Sequence, residues 1–87
     1  MAGSGDHRLE VELRQMFAVA IAQCRRNSDM SQERLAELSD MSTSYISLLE
    51  RGQRNLTMLA AARIAAALGM RLSELVNLAE GSLIRPA

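Results

Sequence analysis

Between Ser31 and Asn55 the chain places hydroxyl, amide and guanidinium side chains at spacings that suit hydrogen bonding to a partner rather than bond making. Ser31 stands before QERLAEL, Ser42 before TSYISLLER and Thr57 before MLAAARIAAAL. Each hydroxyl can accept a hydrogen bond from an otherwise unpaired N–H of a first helical turn, so the three positions predict three helix starts. On a wheel of about 100° per residue with Ile46 inward, Leu49 and the cap Ser42 point the same way. Ser44, Ser47, Leu48 and Arg51 point outward, and Thr43 and Tyr45 lie on the flanks. That outward face is short, small and polar. It fits a DNA major groove about 12 Å wide, where hydroxyls reach base edges and a methyl group meets the thymine methyl. A solvated face of ordinary surface residues has the same composition, but an outward Leu48 between polar neighbours favours an interface.

Catalysis is not expected. His7 is the sole histidine and stands in a polar stretch without a ligand partner, so neither a metal nor any other cofactor is implied. Cys24 is the sole cysteine, which excludes an intramolecular disulfide. It falls on an apolar helical stripe and reads as a small buried hydrophobe rather than a redox switch, because reactive cysteines sit in electropositive, partly exposed sites.

The elements that position the polar face follow from periodicity. Leu9, Leu13, Met16, Phe17, Ala20, Ile21 and Cys24 form one stripe of a first helix from about Leu9 to Asn27. Only Ser39, Asp40 and Met41 separate the next two helices, which forces a steep crossing that presents the second to a partner. In the fourth helix Met58, Ala61, Ala62, Ala65 and Leu68 share a face, and Gly69 ends it as a left-handed cap. A fifth helix, about Leu72 to Ala79, carries Leu72, Leu75, Val76 and Ala79 at i, i+3, i+4 and i+7, with Leu78 beside them and Leu83 and Ile84 after. This is more apolar surface than one thin core covers.

Eighty-seven residues make one domain, and a chain this short buries only about 60–65% of its unfolded surface. Phe17 and Tyr45 are the only aromatics and there is no Trp, so the core comes from Leu, Ile, Met and Ala, which suits closely packed helices. The expected class is all-α, with five helices. Residues 1–8 are expected as a tail, of which the Gly/Ser-bearing 1–5 stand outside the fold; residues 9–80 form the domain and 81–87 a second tail. No apolar run approaches the roughly 18 residues of a membrane span, and no signal peptide is visible, so a reducing cytosol is the expected compartment. Every basic residue is Arg and the formal net charge is zero. A nucleic-acid binder usually carries excess positive charge. Distribution offsets the balance: Arg51 and Arg54 flank the end of the third helix, whereas Glu10, Glu12, Glu74 and Glu80 lie near the chain ends.

Taken together, Gln32, the small Ala36 four positions on and the I-x-x-L-E-x-G run from Ile46 to Gly52 resemble the Xre family, the phage-repressor and Cro-like helix-turn-helix proteins. The resemblance covers roughly Phe17 to Val76, and RGQRNLT (Arg51 to Thr57) is similar to the small controllers of restriction–modification systems. It implies a repressor-like domain binding double-stranded DNA, with Ser31 and Gln32 at the phosphate backbone. Thr43, Ser44, Ser47 and Leu48 would then read bases, and Arg51, Arg54 and Asn55 would hold neighbouring phosphates. Tyr45 either adds a phosphate contact through its hydroxyl or half-buries against Leu49. Arg25 and Glu50 are expected to pair, since neither charge suits a core alone. The family often dimerises through its C-terminal end, which assigns Leu72, Leu75, Val76, Leu78, Ala79, Leu83 and Ile84 to a homodimer interface. The function implied is sequence-specific transcription regulation on a pseudo-palindromic operator; the alternative is an antitoxin-like module that binds a partner protein through the same apolar face. Three positions depart from the pattern: Asp40 where the turn usually has Gly, Arg34 where a capping box needs Glu or Gln, and Arg71 where a better N-cap is usual.

Overall fold

The structure, a computed structural model, describes residues 4–82, with side chains described over 7–81. It contains α1 (Ser4–Asn27), α2 (Gln32–Ser39), α3 (Thr43–Glu50), α4 (Met58–Ala67) and α5 (Leu72–Ser82), and no strand among the described residues. Three helices start on the hydroxyl caps that their sequences predict. Ser31 Oγ accepts from the Arg34 N–H, Ser42 Oγ from the Tyr45 N–H and Thr57 Oγ1 from the Ala60 N–H, each at 3.0 Å. The fifth starts differently. Arg71 offers no cap, but the Glu74 carboxylate accepts from the Arg71 N–H at 2.7 Å, the reach-back half of a capping box, so this start is tied by its own first turn.

The first four helices share one stop. Asp29, Asp40, Gly52 and Gly69 take φ of 53°, 58°, 71° and 74°. The next residue's N–H then bonds back to a carbonyl five positions earlier: Met30 to Arg25, Met41 to Ala36, Gln53 to Leu48 and Met70 to Ala65, at 2.9–3.1 Å. Met30, Met41 and Met70 lean on the core from these positions, so the stops also close the ends of the core. Left-handed backbone costs Asp more than Gly, and a carboxylate past a helix C-terminus opposes the dipole. Asp40→Gly is therefore expected to stabilise the domain by about 0.5–1 kcal/mol, read as a higher urea midpoint at unchanged slope. An unchanged or lower midpoint would contradict this account of the turn.

Met16, Ala20, Ile21, Leu35, Ala36, Ile46, Leu49, Ile64, Ala65, Leu75 and Ala79 form the core. α1 packs on α3 and α5, α2 on α3 and α4, and α4 on α5. Buried Ser39 donates its hydroxyl to the Leu35 carbonyl at 2.6 Å, so it leaves no polar atom unpaired.

The structure corrects several expectations. α1 begins at Ser4, not near Leu9, and α5 runs to Ser82. Leu9 and Leu13, assigned to the buried stripe, are 55% and 42% exposed, and the buried part of α1 begins at Met16. The buried face of α4 is Ala60, Ala61, Ile64 and Ala65; Met58 is 78% exposed at the first helical position, and Ala62 is exposed as well. Leu75 and Ala79 are wholly buried within the single chain, so neither is available to a partner as the dimer assignment required. Leu83 and Ile84 lie outside the described residues.

Candidate nucleic-acid interface

One buried ion pair fixes the frame. The Glu50 carboxylate accepts from Arg25 Nε at 2.7 Å and Nη2 at 3.0 Å, and from Gln32 Nε2 at 3.0 Å. Arg25 Nη1 donates to the Met30 carbonyl at 2.8 Å. The two charged side chains are only 13% and 5% exposed, and the hydrogen bond to Glu50 holds the guanidinium pKa above its ordinary value. Three helix ends thus meet at one carboxylate: the last turn of α1, the first of α2 and the last of α3. This spends the Gln32 amide inside the protein. What α2 still offers outward is its exposed cap Ser31 and the free backbone N–H groups of its first turn, which with the helix dipole favour an anion.

Gln32, Thr43, Ser44, Ser47, Leu48 and Arg51 line one shallow, open depression between the start of α2 and the outer face of α3. Thr43 and Ser44 are exposed, while Ser47 and Leu48 are half-buried, so Leu48 forms part of the floor rather than standing clear. Arg51 Nε lies 3.4 Å from the Ser47 carbonyl, which lays the guanidinium along α3.

The loop after α3 is more constrained than its sequence suggests. Tyr45 is half-buried and its hydroxyl donates to the Asn55 carbonyl at 3.3 Å. The Arg54 guanidinium lies 5.5 Å from the centre of the Tyr45 ring, a cation–π distance. Asn55 Oδ1 accepts from Arg14 Nε at 2.7 Å and Nδ2 donates to Glu10 Oε2 at 3.5 Å. The polar groups of Asn55 and the Tyr45 hydroxyl therefore have partners within the chain, where the resemblance implied a phosphate for Asn55. Glu10 and Arg14 belong to this region although no motif singles them out; their i, i+4 spacing on α1 is the only sequence signal.

Cys24 is half-buried, and burial pushes its thiol pKa above the ordinary value, which lowers the reactive thiolate fraction. Among the described residues no cluster of His, Cys, Asp or Glu is arranged to hold a metal, and no helix is long and apolar enough to cross a membrane.

A capped helix, a three-residue turn with a left-handed Asp40 and a second helix presenting a polar outer face define a helix-turn-helix protein of the DNA-binding class. The helix-turn-helix family matches residues 21–75, and the chain belongs to that family, in its Xre-like branch. It is 36% identical over 67 residues to the uncharacterized HTH-type transcriptional regulator y4dJ of Sinorhizobium fredii, covering 77% of this chain and 87% of that one. The crystal structure of the clp gene regulator ClgR from C. glutamicum superposes with a TM-score of 0.80 at 30% identity, covering 85% of this chain and 96% of that one. The restriction-modification controller protein C.AhdI from Aeromonas hydrophila gives a TM-score of 0.69 at 35% identity, covering 71% and 94%.

Proposed function

We propose that this chain is a cytosolic transcription regulator that binds a pseudo-palindromic operator as a homodimer, with the outer face of α3 in the major groove. The observation that carries the reading is the convergence of Thr43, Ser44, Ser47, Leu48 and Arg51 on one open depression beside the capped start of α2. In this reading the hydroxyls and Leu48 meet base edges, and the Ser31 cap and first-turn N–H groups of α2 meet a phosphate. Arg51 and Arg54 take the flanking phosphates. Tyr45 and Asn55 act from behind, by holding the loop that carries Arg54. Replacing either arginine by Ala is expected to weaken binding to all duplexes alike and to lower the log–log salt slope by about 1 per lost contact. A change in which base is preferred would overturn the phosphate role.

Dimerisation through α5 has a smaller basis than the apolar count of that helix implies. Leu78 is 49% exposed, and Leu72 and Val76 are half-buried, so these three are the large apolar side chains described on α5 that can face a second copy. A two-fold pair would set the reading helices about 34 Å apart, one DNA turn. Leu78→Glu, on a surface position that leaves the core intact, is expected to convert a dimer into monomers in sedimentation at tens of micromolar. A wild-type monomer would overturn the homodimer, and a variant that still dimerises would move the interface elsewhere; aggregation of the wild type relieved only by another protein would favour the partner-binding alternative.

A further inference from the structure

In the reading above Tyr45 and Asn55 hold the loop after α3, but the α1 residues that bond Asn55 have no role there. Arg14 and Glu10 precede the matched helix-turn-helix region, on the part of α1 that extends past it. Arg14 nevertheless grips the far side of the loop: Nε donates to Asn55 Oδ1 at 2.7 Å, and Nη2 lies 3.3 Å from Glu10 Oε1, whose carboxylate also receives the Asn55 amide. The Asn55 carbonyl in turn accepts from Tyr45 on α3, and Arg54, one residue earlier, lies over the Tyr45 ring. At the other end of the loop the left-handed Gly52 sits against α1, where an added Cβ would lie 3.8 Å from the Arg14 carbonyl oxygen and 3.9 Å from Ala18 Cβ. The segment from Gly52 to Asn55, which bears Arg54, therefore lies close to α1 at one end and is hydrogen-bonded to the same stretch of that helix at the other.

We infer that Arg14 is a positioning residue for DNA binding: with Glu10 and Asn55 it braces the loop after α3 so that Arg54 meets a phosphate without first having to be ordered. This rests on the proposed DNA interface and adds α1 to it. A side chain fixed in advance loses less freedom on binding, so the brace raises affinity without adding a contact to the nucleic acid. It does so equally for every sequence, because phosphates carry no base identity.

Three roles for Arg14 predict different data. As a positioning residue, Arg14→Met raises the dissociation constant about three- to fivefold for specific and random duplexes alike, with the salt slope unchanged, since the same phosphates are finally met. A direct phosphate ligand would instead lower the slope by about 1. A residue that only stabilises the fold would shift the urea midpoint and leave affinity unaltered well below the transition. Asn55→Ala, made on the loop side at an exposed position, should reproduce the Arg14→Met effect, and the two together should cost no more than either alone.

The decisive readout needs no DNA: in the free protein both variants should speed amide-proton exchange at Gln53, whose N–H donates to the Leu48 carbonyl at 2.9 Å, while α2 and α4 keep wild-type rates. Unchanged exchange at that amide, a lowered salt slope, or additive losses would each overturn the brace. If exchange speeds as expected but wild-type protein selects no duplex, the brace stands as a structural fact and the DNA reading is what has failed.

Discussion

Arg25→Met is expected to remove roughly 3–5 kcal/mol of folding stability, the largest loss foreseen for any single substitution, although Arg25 contacts no proposed ligand. The substitution keeps the apolar stem and deletes the cation, leaving the Glu50 carboxylate 95% out of solvent with Gln32 Nε2 as its remaining side-chain donor. An ion taken out of water without its counter-charge loses hydration that one amide cannot replace. A domain of this size holds only about 0.05–0.15 kcal/mol per residue, so much of the stability goes with it. Removing both charges behaves differently. Arg25→Met with Glu50→Leu leaves only the Met30 carbonyl and the Gln32 amide to find water, and should return to within about 1–2 kcal/mol of wild type. Urea unfolding of the two variants separates the cases: a single variant within 1 kcal/mol of wild type would show that water reaches this carboxylate readily, contrary to its burial.

Ser47→Glu is expected to weaken binding to any duplex by about 100-fold or more while leaving the fold intact. Ser47 is half-buried in the open depression on α3, and the longer side chain can leave along that depression rather than enter the core. Glu is also a better helix former than Ser, so no loss of helix is introduced. What changes is the charge facing the groove: a carboxylate replaces a hydroxyl where phosphates flank base edges rich in acceptors, and it can donate to neither. Equilibrium binding at fixed salt, beside a urea midpoint close to wild type, checks this. Wild-type affinity in Ser47→Glu would place the nucleic acid, if it is bound at all, on another surface.

Where one local rule governs, the sequence is a good guide to this fold. The hydroxyl caps at Ser31, Ser42 and Thr57 and the left-handed stop at Gly69 depend on a few adjacent residues, and the all-α class follows from composition and period. Periodicity fails where it meets tertiary limits. Leu9 and Leu13 continue the apolar stripe of α1, yet both stand largely exposed, because period alone does not say how far the rest of the fold extends along a helix. Leu75 and Ala79 look surplus because the count of apolar residues on α5 does not reveal that α1 and α4 already enclose that side. The face of α4 is set by packing of Ile64, which the alanine-rich sequence leaves loosely phased.

The candidate interface shows the same division. That Thr43, Ser44, Ser47 and Arg51 share the outer face of α3 is helix geometry, and a wheel suffices. That Gln32 bonds Glu50 and that Asn55 bonds Arg14 are contacts between residues 18 and 41 positions apart, for which side-chain type gives no direction. Both amides are bonded within the chain, Gln32 to the part-buried Glu50 and Asn55 to Arg14 at the surface.

The central claim is that the outer face of α3 reads DNA sequence. It is tested most directly by selecting bound sites from random duplexes with the wild type and with Ser44→Ala, side by side. The account predicts that wild type enriches an imperfect palindrome whose half-sites lie one turn apart, about 10 base pairs. It predicts further that Ser44→Ala shifts the preferred base at one symmetric pair of positions and leaves the spacing alone. The face offers hydroxyls and few of the forked donors that separate bases strongly, so uncontacted central base pairs should also show a preference, set by how readily they deform. Enrichment of no sequence, or of the same sequence at every position in both selections, would contradict the account.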